Sequence, residues 1–344
     1  LKSGGGPVAQ VLALMGARPR FDSYGRLAGA ELIPLEELGR PRIDVIVTLS
    51  GIFRDLLPLQ TKLLAEAAWL AAEAGEPADR NFIRKHALAE IAAGTSPEDA
   101  ALRVFSNAEG AYGANVNHLV ESGSWEDEGE LAELFAARKG FAYGRDGKVR
   151  QQAELLGRML GQVGLAYQNL ESAELGVTSI DHYFDSLGGM TRAAARAGSD
   201  GEGRQVPVYV GDQTGRSHTV RSMAEQVALE TRTRQLNPRW YEAMLDHGRE
   251  GVRHIEAALT NTLGWSATTG QVEPWVYQRL TQTFVLDEAM RRRLAELNPT
   301  SSARMTQRPL EASDRQFWSP DAETLAALEA AGEELEDRME GLVA

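Results

Sequence analysis

The chain has 344 residues, of which 43% are hydrophobic and 25% are charged, a composition that excludes a disordered protein. Its formal net charge of -13 argues against binding to the phosphate backbone of nucleic acids, which requires an excess of Lys and Arg. The chain has no cysteine, so disulfides, zinc-thiolate sites and iron–sulfur clusters are excluded and a reducing compartment is expected.

The first 150 residues alternate helical and strand patterns, which is typical of an α/β domain. The β-branched run at 43–49 predicts a buried parallel strand, and residues 31–34 predict a short one. Helices are predicted over residues 8–15, 56–74, 82–93, 97–102 and 127–139. We therefore expect an α/β fold whose first domain, 1–150, carries a Rossmann-like parallel sheet segment.

Residues 151–344 predict a mainly helical region with a short strand near 206–210. Helices are predicted over residues 151–168, 219–233, 238–259 and 321–342. The run at 193–203 lacks apolar periodicity and predicts a flexible connection. The glycines of the segment 264–270 predict an interruption of the helix, which would present Trp265 on a loop.

The first residue is Leu1, and an apolar helical segment follows soon after it, so we expect the sequence to be a piece of a longer polypeptide. No apolar stretch approaches the roughly 20 residues needed to span a bilayer. This pattern predicts a soluble protein or, at most, a peripheral one.

Asp181 and Asp185 are four residues apart and would share one face of a helix, with His182 beside the first. Carboxylates suit Mg²⁺, and histidine is a natural base near neutral pH. The pattern predicts a metal or proton-transfer site. The alternative is a structural role, in which Asp185 caps the turn at 187–189 and the aromatic residues beside it lie in the core.

Arg54 follows the predicted strand 43–49 at its carboxyl end, which is where open α/β sheets bind ligands. A guanidinium group fits a carboxylate of a ligand. The alternative is an internal ion pair with Asp44 or Asp55 that closes the turn between strand and helix.

Eight motifs follow one another along the chain. They are Tyr-Gly-Arg at 24–26, Arg-Pro-Arg-Ile-Asp-Val at 40–45, Ser-Gly-Ile-Phe-Arg-Asp at 50–55, Gly-Ala-Tyr-Gly at 110–113, Asp-His-Tyr-Phe-Asp at 181–185, Asn-Pro-Arg-Trp-Tyr at 237–241, Asn-Thr-Leu-Gly-Trp-Ser at 261–266 and Thr-Gly-Gln-Val-Glu-Pro-Trp-Val-Tyr at 269–277. In this collinear order the chain resembles the C-terminal portion of the large, porphyrin-binding subunits of the magnesium chelatase and CobN family.

The resemblance implies ATP-dependent insertion of Mg²⁺, as a substrate ion, into protoporphyrin IX on the route to chlorophyll or bacteriochlorophyll. It implies that two separate AAA+ subunits hydrolyse the ATP, and no Gly-Lys-Ser or Gly-Lys-Thr phosphate loop occurs in this sequence. It also implies contact with the downstream methyltransferase that acts on Mg-protoporphyrin. The location it implies is the bacterial cytoplasm, peripheral to photosynthetic membranes, or the plastid stroma in plant relatives. These residues alone are expected to be inactive.

The resemblance also implies roles for individual residues. His182 would accept a pyrrole proton, while Asp181 or Asp185 would orient it or guide the metal ion. Arg54 would bind a porphyrin propionate, a role that is also open to the arginines of the 40–45 motif. Among the aromatic residues of the motifs, Tyr112 and Trp265 are favoured to stack on the macrocycle, because glycine-rich loops would present them.

Two alternatives stay open. The related large subunit of aerobic cobaltochelatase, which inserts cobalt into a corrin precursor, shares the motifs at 40–45 and 50–55. The block at 181–185 and the run at 264–266 resemble the magnesium enzyme more closely. A different class of function is a non-catalytic module that docks the AAA+ subunits, which the acidic charge would favour.

Overall fold

The computed structural model describes residues 4–198, 204–215 and 218–339, and the chain divides into two compact units. Unit 1 comprises Leu1–Ala114 and Glu133–Val163, and unit 2 comprises Asn115–Ala132 and Gly164–Ala344. The units therefore alternate along the chain, whereas the sequence predicts a single boundary at residue 150.

Helices form most of the regular structure in the described part of the chain. The helices are α1 Gly6–Met15, α2 Leu35–Leu38, α3 Gly51–Leu56, α4 Pro58–Glu73, α5 Phe82–Ala92, α6 Pro97–Ala100, α7 Val116–Ser122, α8 Glu128–Lys139, α9 Ala153–Leu160, α10 Asp181–Tyr183, α11 Gly189–Ala197, α12 Met223–Glu230, α13 Pro238–Asp246, α14 Arg249–Thr269, α15 Pro274–Thr281, α16 Glu288–Leu297, α17 Pro299–Asp314 and α18 Ala322–Met339. In the described part of the chain, none of these helices is both long and apolar enough to cross a membrane.

Short strands and π-helical turns complete the set. The strands are β1 Ala17–Phe21, β2 Leu27–Leu32, β3 Val47–Thr48, β4 Val104–Ser106, β5 Phe141–Tyr143, β6 Val149–Gln151, β7 Ala166–Leu170, β8 Val208–Asp212 and β9 Thr219–Ser222. The π-helical turns are Phe184–Gly188, Thr231–Gln235 and Gln282–Leu286. The predicted α/β class with a largely helical C-terminal region is confirmed.

Unit 1 contains a mixed sheet in the order β3-β4-β5-β6. Only β3 and β4 are parallel, with Val47 opposite Val104, and the other neighbours are antiparallel. The strand predicted over 43–49 is confined to β3, because the backbone N–H of Ile43 donates to Leu14 O of α1 at 3.0 Å and not to a neighbouring strand. A second ladder, β1 with β2, is antiparallel.

The core of unit 1 is built around α4. The side chains of Ala67, Ala68 and Ala71 have 0% exposure, so their small size lets neighbouring elements approach this helix closely. The predicted helix over 8–15 is confirmed as α1, which ends at Gly16 with a left-handed φ of 70°. Glycine adopts this conformation without steric penalty.

Unit 2 contains a three-stranded sheet in the order β7-β8-β9, with β7 parallel to β8 and β8 antiparallel to β9. Two helix predictions were therefore wrong in part. The segment 151–168 ends as a helix at Leu160 and continues into β7, and the segment 219–233 begins with β9. Pairing with β8 satisfies the backbone groups of both strands, which local helical spacing does not reveal.

The connection predicted at 193–203 begins inside a helix. Helix α11 extends to Ala197, and Ala193 and Ala194 are buried at 6% and 1% exposure. The first part of the prediction was therefore wrong. The sequence around these alanines lacks large apolar residues, but the alanines themselves are small enough to pack in the core of unit 2. Residues 199–203 lie outside the described residues.

Helix α14 runs without interruption from Arg249 to Thr269, so the break predicted in the segment 264–270 was wrong. Gly264 lies inside the helix, where a Cβ would come within 2.7 Å of the Phe184 ring. Its role is close packing of two elements. The helix ends at Gly270, which has a left-handed φ of 64°.

We expect Gly264→Ala to lower the free energy of unfolding by about 1–3 kcal/mol, the usual effect of overpacking a core. Phe184 is only 1% exposed and also packs against the Trp265 ring, so neighbouring core residues would have to move with it. Gly332→Ala is the matched control. Gly332 lies inside α18, and the nearest neighbouring atom, Leu310 Cδ1, would be 3.8 Å from the added Cβ. Urea unfolding of both variants should show destabilisation by the first and none by the second.

Candidate functional site

The block at 181–185 opens a continuous helical segment of unit 2. Helix α10 leads into the π-helical turn Phe184–Gly188, and α11 follows directly. Such π-turns occur frequently at functional sites. Phe184 packs edge to face on Trp265 with the ring centroids 6.5 Å apart. The second half of the block is therefore anchored in the core.

His182 is the most accessible of the three predicted catalytic residues. Its side chain is 77% exposed, and Nδ1 lies 3.9 Å from Asp181 Oδ1. This distance is longer than a hydrogen bond, and an exposed pair of this kind contributes little to stability. The imidazole is therefore accessible to a molecule that binds at this surface.

Asp181 and Asp185 both face Asn117, the second residue of α7. The Asn117 Nδ2 donates to Asp181 Oδ2 at 2.5 Å, and the Asn117 backbone N–H donates to Asp185 Oδ1 at 3.3 Å. The predicted shared face is thus present. The Asp181 side chain is 43% exposed, whereas Asp185 is 1% exposed. This burial argues against the predicted catalytic and metal-guiding roles of Asp185 and favours a structural one.

The described residues form no ready-made metal centre. Across residues 4–198, 204–215 and 218–339, no group of three or more His, Asp or Glu side chains is arranged to hold an ion. Mg²⁺ keeps several waters and often contacts proteins through one or two carboxylates. Of the two carboxylates in the block, that of Asp181 is the exposed one, and it is able to contact a hydrated Mg²⁺ ion without forming a permanent site.

Trp265 lies inside α14, and its side chain has 0% exposure. Its Nε1–H donates to Val177 O at 2.9 Å, which satisfies the indole. The prediction that a glycine-rich loop presents Trp265 to a ligand was wrong, because the glycine beside it is a packing position of a continuous helix. This indole supports the segment that precedes α10.

Arg54, in α3 of unit 1, is 5% exposed and is largely occupied by internal partners. Its Nε donates to Asp55 Oδ1 at 2.7 Å, and Nη1 donates to Asn107 O at 3.0 Å and Ala108 O at 2.7 Å. The internal ion pair offered as an alternative is therefore present. The remaining Nη2 is buried with no hydrogen-bond partner in the described residues, which leaves one donor of the guanidinium unsatisfied.

Tyr112 lies on the loop after β4 and is 52% exposed. Its hydroxyl donates to Asp55 Oδ2 at 2.7 Å. Hydrogen bonds from Arg54 and Tyr112 hold the pKa of Asp55 below its ordinary value. Gly51 permits this arrangement, because a Cβ there would lie 2.5 Å from the tyrosine ring. The loop prediction for Tyr112 is confirmed, and the ring offers an aromatic surface to solvent.

The arginines of the 40–45 motif hold unit 1 together. Arg42 is 0% exposed, and it donates to Glu76 Oε1 at 2.7 Å and to Gly16 O at 2.5 Å. Arg40 donates to Leu14 O at 3.2 Å. The prediction that Arg42 can bind a ligand carboxylate was wrong, because its guanidinium has no access to solvent.

Comparison with known proteins places this geometry in context. The model of a family described as CobN/Magnesium Chelatase matches residues 1–325. The chain is 67% identical to the magnesium-chelatase H subunit of Rhodobacter capsulatus and 68% identical to that of Cereibacter sphaeroides, over 346 residues each. Each match covers 100% of this chain and 29% of the relative, so the chain spans less than a third of their length.

A solved structure is also similar. It is the catalytic subunit of cobaltochelatase from Mycobacterium tuberculosis, with a TM-score of 0.90 and 36% sequence identity. The match covers 96% of this chain and 28% of that chain. At this score the two folds correspond over nearly the whole of the present sequence.

Proposed function

Because the chain belongs to the CobN/magnesium chelatase family, we propose that it is the C-terminal part of the porphyrin-binding subunit of a magnesium chelatase. The intact subunit takes part in inserting Mg²⁺ into protoporphyrin IX for chlorophyll or bacteriochlorophyll synthesis. The ion is a substrate. ATP is hydrolysed by two AAA+ partner subunits, and the product passes to a methyltransferase.

The observation that carries this proposal is the difference in sequence identity. The chain is 67% and 68% identical to two magnesium-chelatase H subunits, but 36% identical to the cobaltochelatase subunit. Both kinds of protein match along nearly the whole chain, so the difference is not an effect of coverage. Magnesium is therefore the better supported metal, and cobalt insertion into a corrin is the alternative.

The accessible part of the 181–185 block suits one step of this reaction. Metal insertion requires the removal of two pyrrole protons and the loss of water from the ion. His182, with its exposed imidazole, accepts a proton from the macrocycle, and Asp181 orients the imidazole or guides the ion. Asp185 supports the block through its contact with Asn117.

In unit 1 the exposed face of Tyr112 suits stacking on a flat macrocycle. Arg54 is buried beneath the loop that carries Tyr112, where Asp55 and the backbone carbonyls of Asn107 and Ala108 hold its guanidinium, so it supports this loop and does not contact a carboxylate of the ligand directly. The protein works in the bacterial cytoplasm, in peripheral contact with photosynthetic membranes.

The metal and the macrocycle are tested together in the intact subunit with both AAA+ partners and ATP. We expect Mg²⁺ to enter protoporphyrin IX, and no Co²⁺ to enter a corrin precursor, as followed by the absorbance of the metallated rings. Reactions without ATP are the control and should give no product. Cobalt insertion into the corrin with no magnesium insertion into protoporphyrin would favour the cobaltochelatase alternative.

A further inference from the structure

The segment that leads into α10 is held by a buried carboxylate. Glu230, the last residue of α12, accepts hydrogen bonds from the backbone N–H of Val177 at 2.9 Å, the backbone N–H of Thr178 at 2.9 Å and Thr178 Oγ1 at 2.6 Å. Gln226 Nε2 donates to the same carboxylate at 2.7 Å. Glu230 is 3% exposed, so these four donors replace water around it.

Other side chains hold the remaining polar atoms of the same two residues. Trp265 Nε1 donates to Val177 O at 2.9 Å, and Asn261 Nδ2 donates to Thr178 O at 2.9 Å. Gln235 Nε2 donates to Thr178 Oγ1 at 2.7 Å. The N–H and C=O groups of both residues are thus fixed by side chains from α12 and α14, and the Thr178 hydroxyl is also held by a side chain from the π-helical turn between α12 and α13.

This arrangement leaves little freedom for the backbone. A Cβ on Gly176 would lie 2.4 Å from the Glu230 carboxylate, so the carboxylate and the turn are in close contact. Both oxygens of the Glu230 carboxylate accept two hydrogen bonds each, and a buried carboxylate held in this way favours one geometry of the turn over alternatives. An apolar residue at position 230 would leave the N–H groups of Val177 and Thr178 buried without an acceptor, so the carboxylate both stabilises this turn and fixes its geometry.

His182 lies four residues after Thr178, and its own side chain does not fix its position. In the described part of the chain the imidazole has no hydrogen bond, and its nearest charged partner is Asp181 Oδ1 at 3.9 Å. Its position must therefore come from the backbone. The Glu230 network holds the chain before α10, and the contacts of Asn117 hold Asp181 and Asp185 from the other side.

We propose that Glu230 is a positioning residue for His182, acting through the backbone of Val177 and Thr178. This inference rests on the proposed function, in which His182 accepts a proton from the macrocycle. Positioning within fractions of an ångström matters for proton transfer, and a displacement of about 1 Å can lower a rate by about 100-fold.

The test uses Glu230→Gln in the intact subunit with both AAA+ partners. The amide keeps one acceptor oxygen but turns an NH₂ group toward N–H donors, so the turn has to shift. We expect kcat for magnesium insertion to fall by about 10-fold to 100-fold, with less than about a twofold change in KM for protoporphyrin.

Combining Glu230→Gln with His182→Ala separates positioning from general damage. If Glu230 acts through His182, the double variant should be no slower than His182→Ala alone. A structural defect unrelated to His182 would lower the rate by the same factor in both backgrounds. Glu225→Gln, in the same helix but in an exposed capping box with Ser222, is the matched control and should keep the normal kcat.

Thr178→Val is a second variant for the case that Glu230→Gln does not fold. It removes the hydroxyl between Glu230 and Gln235 and keeps the side-chain shape, and it should show the same coupling to His182→Ala. Normal kcat in both variants, or losses that multiply with that of His182→Ala, would overturn the positioning role while the proposed function stands. Normal insertion by His182→Ala itself would remove the basis of the inference and of the proposed proton acceptor together.

Discussion

Replacing His182 by alanine in the intact subunit is expected to lower kcat for magnesium insertion by about 100-fold to 10,000-fold, the usual contribution of a general base. The expectation rests on the accessibility of the imidazole, which is 77% exposed and carries no hydrogen bond in the described residues. Imidazole exchanges protons readily near neutral pH. Because the side chain is exposed, its removal should leave the unfolding free energy nearly unchanged.

His254→Ala is the matched control for this experiment. His254 lies in the same unit on α14, its side chain is 52% exposed, and it faces Glu250 at 3.7 Å, an exposed pair much like that of His182 with Asp181. Its replacement should leave insertion unchanged. Wild-type rates in both variants would show that His182 takes no part in the reaction, while a loss in both would point to a general requirement for surface histidines.

One geometric feature of the candidate site was predictable from the sequence, and its buried contacts were not. The spacing of Asp181 and Asp185 correctly predicts a shared helical face. Their common partner Asn117 is 64 residues away from Asp181, so no local pattern reveals it. Spacing also cannot tell which of two carboxylates faces solvent, because that depends on the packing of the π-helical turn against α14.

Trp265 illustrates why local composition is misleading at this site. A glycine beside a tryptophan resembles a ligand-binding loop, but Gly264 is required because Phe184 packs directly against the helix. The indole then serves the segment before α10 by donating to Val177 O. Glu230, on which our further inference depends, carries no sequence signal, because nothing distinguishes it from the other glutamates of an acidic chain.

Elements of the fold with local sequence signals were likewise predicted better than those that depend on distant contacts. Helices with strong local signals, such as α1, α4 and α5, were predicted within a few residues of their observed bounds. Strands β7 and β9 were missed because they exist through pairing with β8, which lies far from β7 in sequence and is joined to β9 by a short connection that carries no strand signal of its own. The strand predicted over 43–49 shortened to β3 because its first residues bond to α1 and α5.

Asp44, in that first part of the predicted strand, gives the largest expected effect on stability. Its Oδ1 accepts from Arg103 Nε at 2.6 Å, and its Oδ2 accepts from Arg103 Nη2 at 3.1 Å and contacts His86 Nδ1 at 2.7 Å. The Arg103 side chain is 0% exposed and that of Asp44 is 10% exposed. Asp44→Asn should lower the free energy of unfolding at pH 7 by about 3 kcal/mol, because the buried guanidinium loses its counter-charge.

The pH dependence provides an independent check. Burial alone raises the pKa of Asp44, but the charge of Arg103 and the hydrogen bonds from His86 and Arg103 outweigh it, so the pKa lies below the ordinary value. A lowered pKa contributes stability that is present above the unfolded value of about 3.9 and is lost as the pH falls through the folded value. The difference between the wild type and Asp44→Asn should therefore shrink below about pH 4.

Urea unfolding at pH 7 and near pH 3 measures both effects. Asp146→Asn is the control, because Asp146 pairs with Arg150 at 2.8 Å while its side chain is 38% exposed. Its pKa is also lowered, to about 2, yet an exposed pair of this kind should change the unfolding free energy by less than about 1 kcal/mol. If Asp44→Asn lowers the free energy of unfolding as little as the control does, water must reach Arg103 and replace the carboxylate. The large cost follows only if the guanidinium stays buried, since the carbonyls of Ala100, Leu102 and Ile83 that also accept from Arg103 carry no net charge to replace that of the carboxylate.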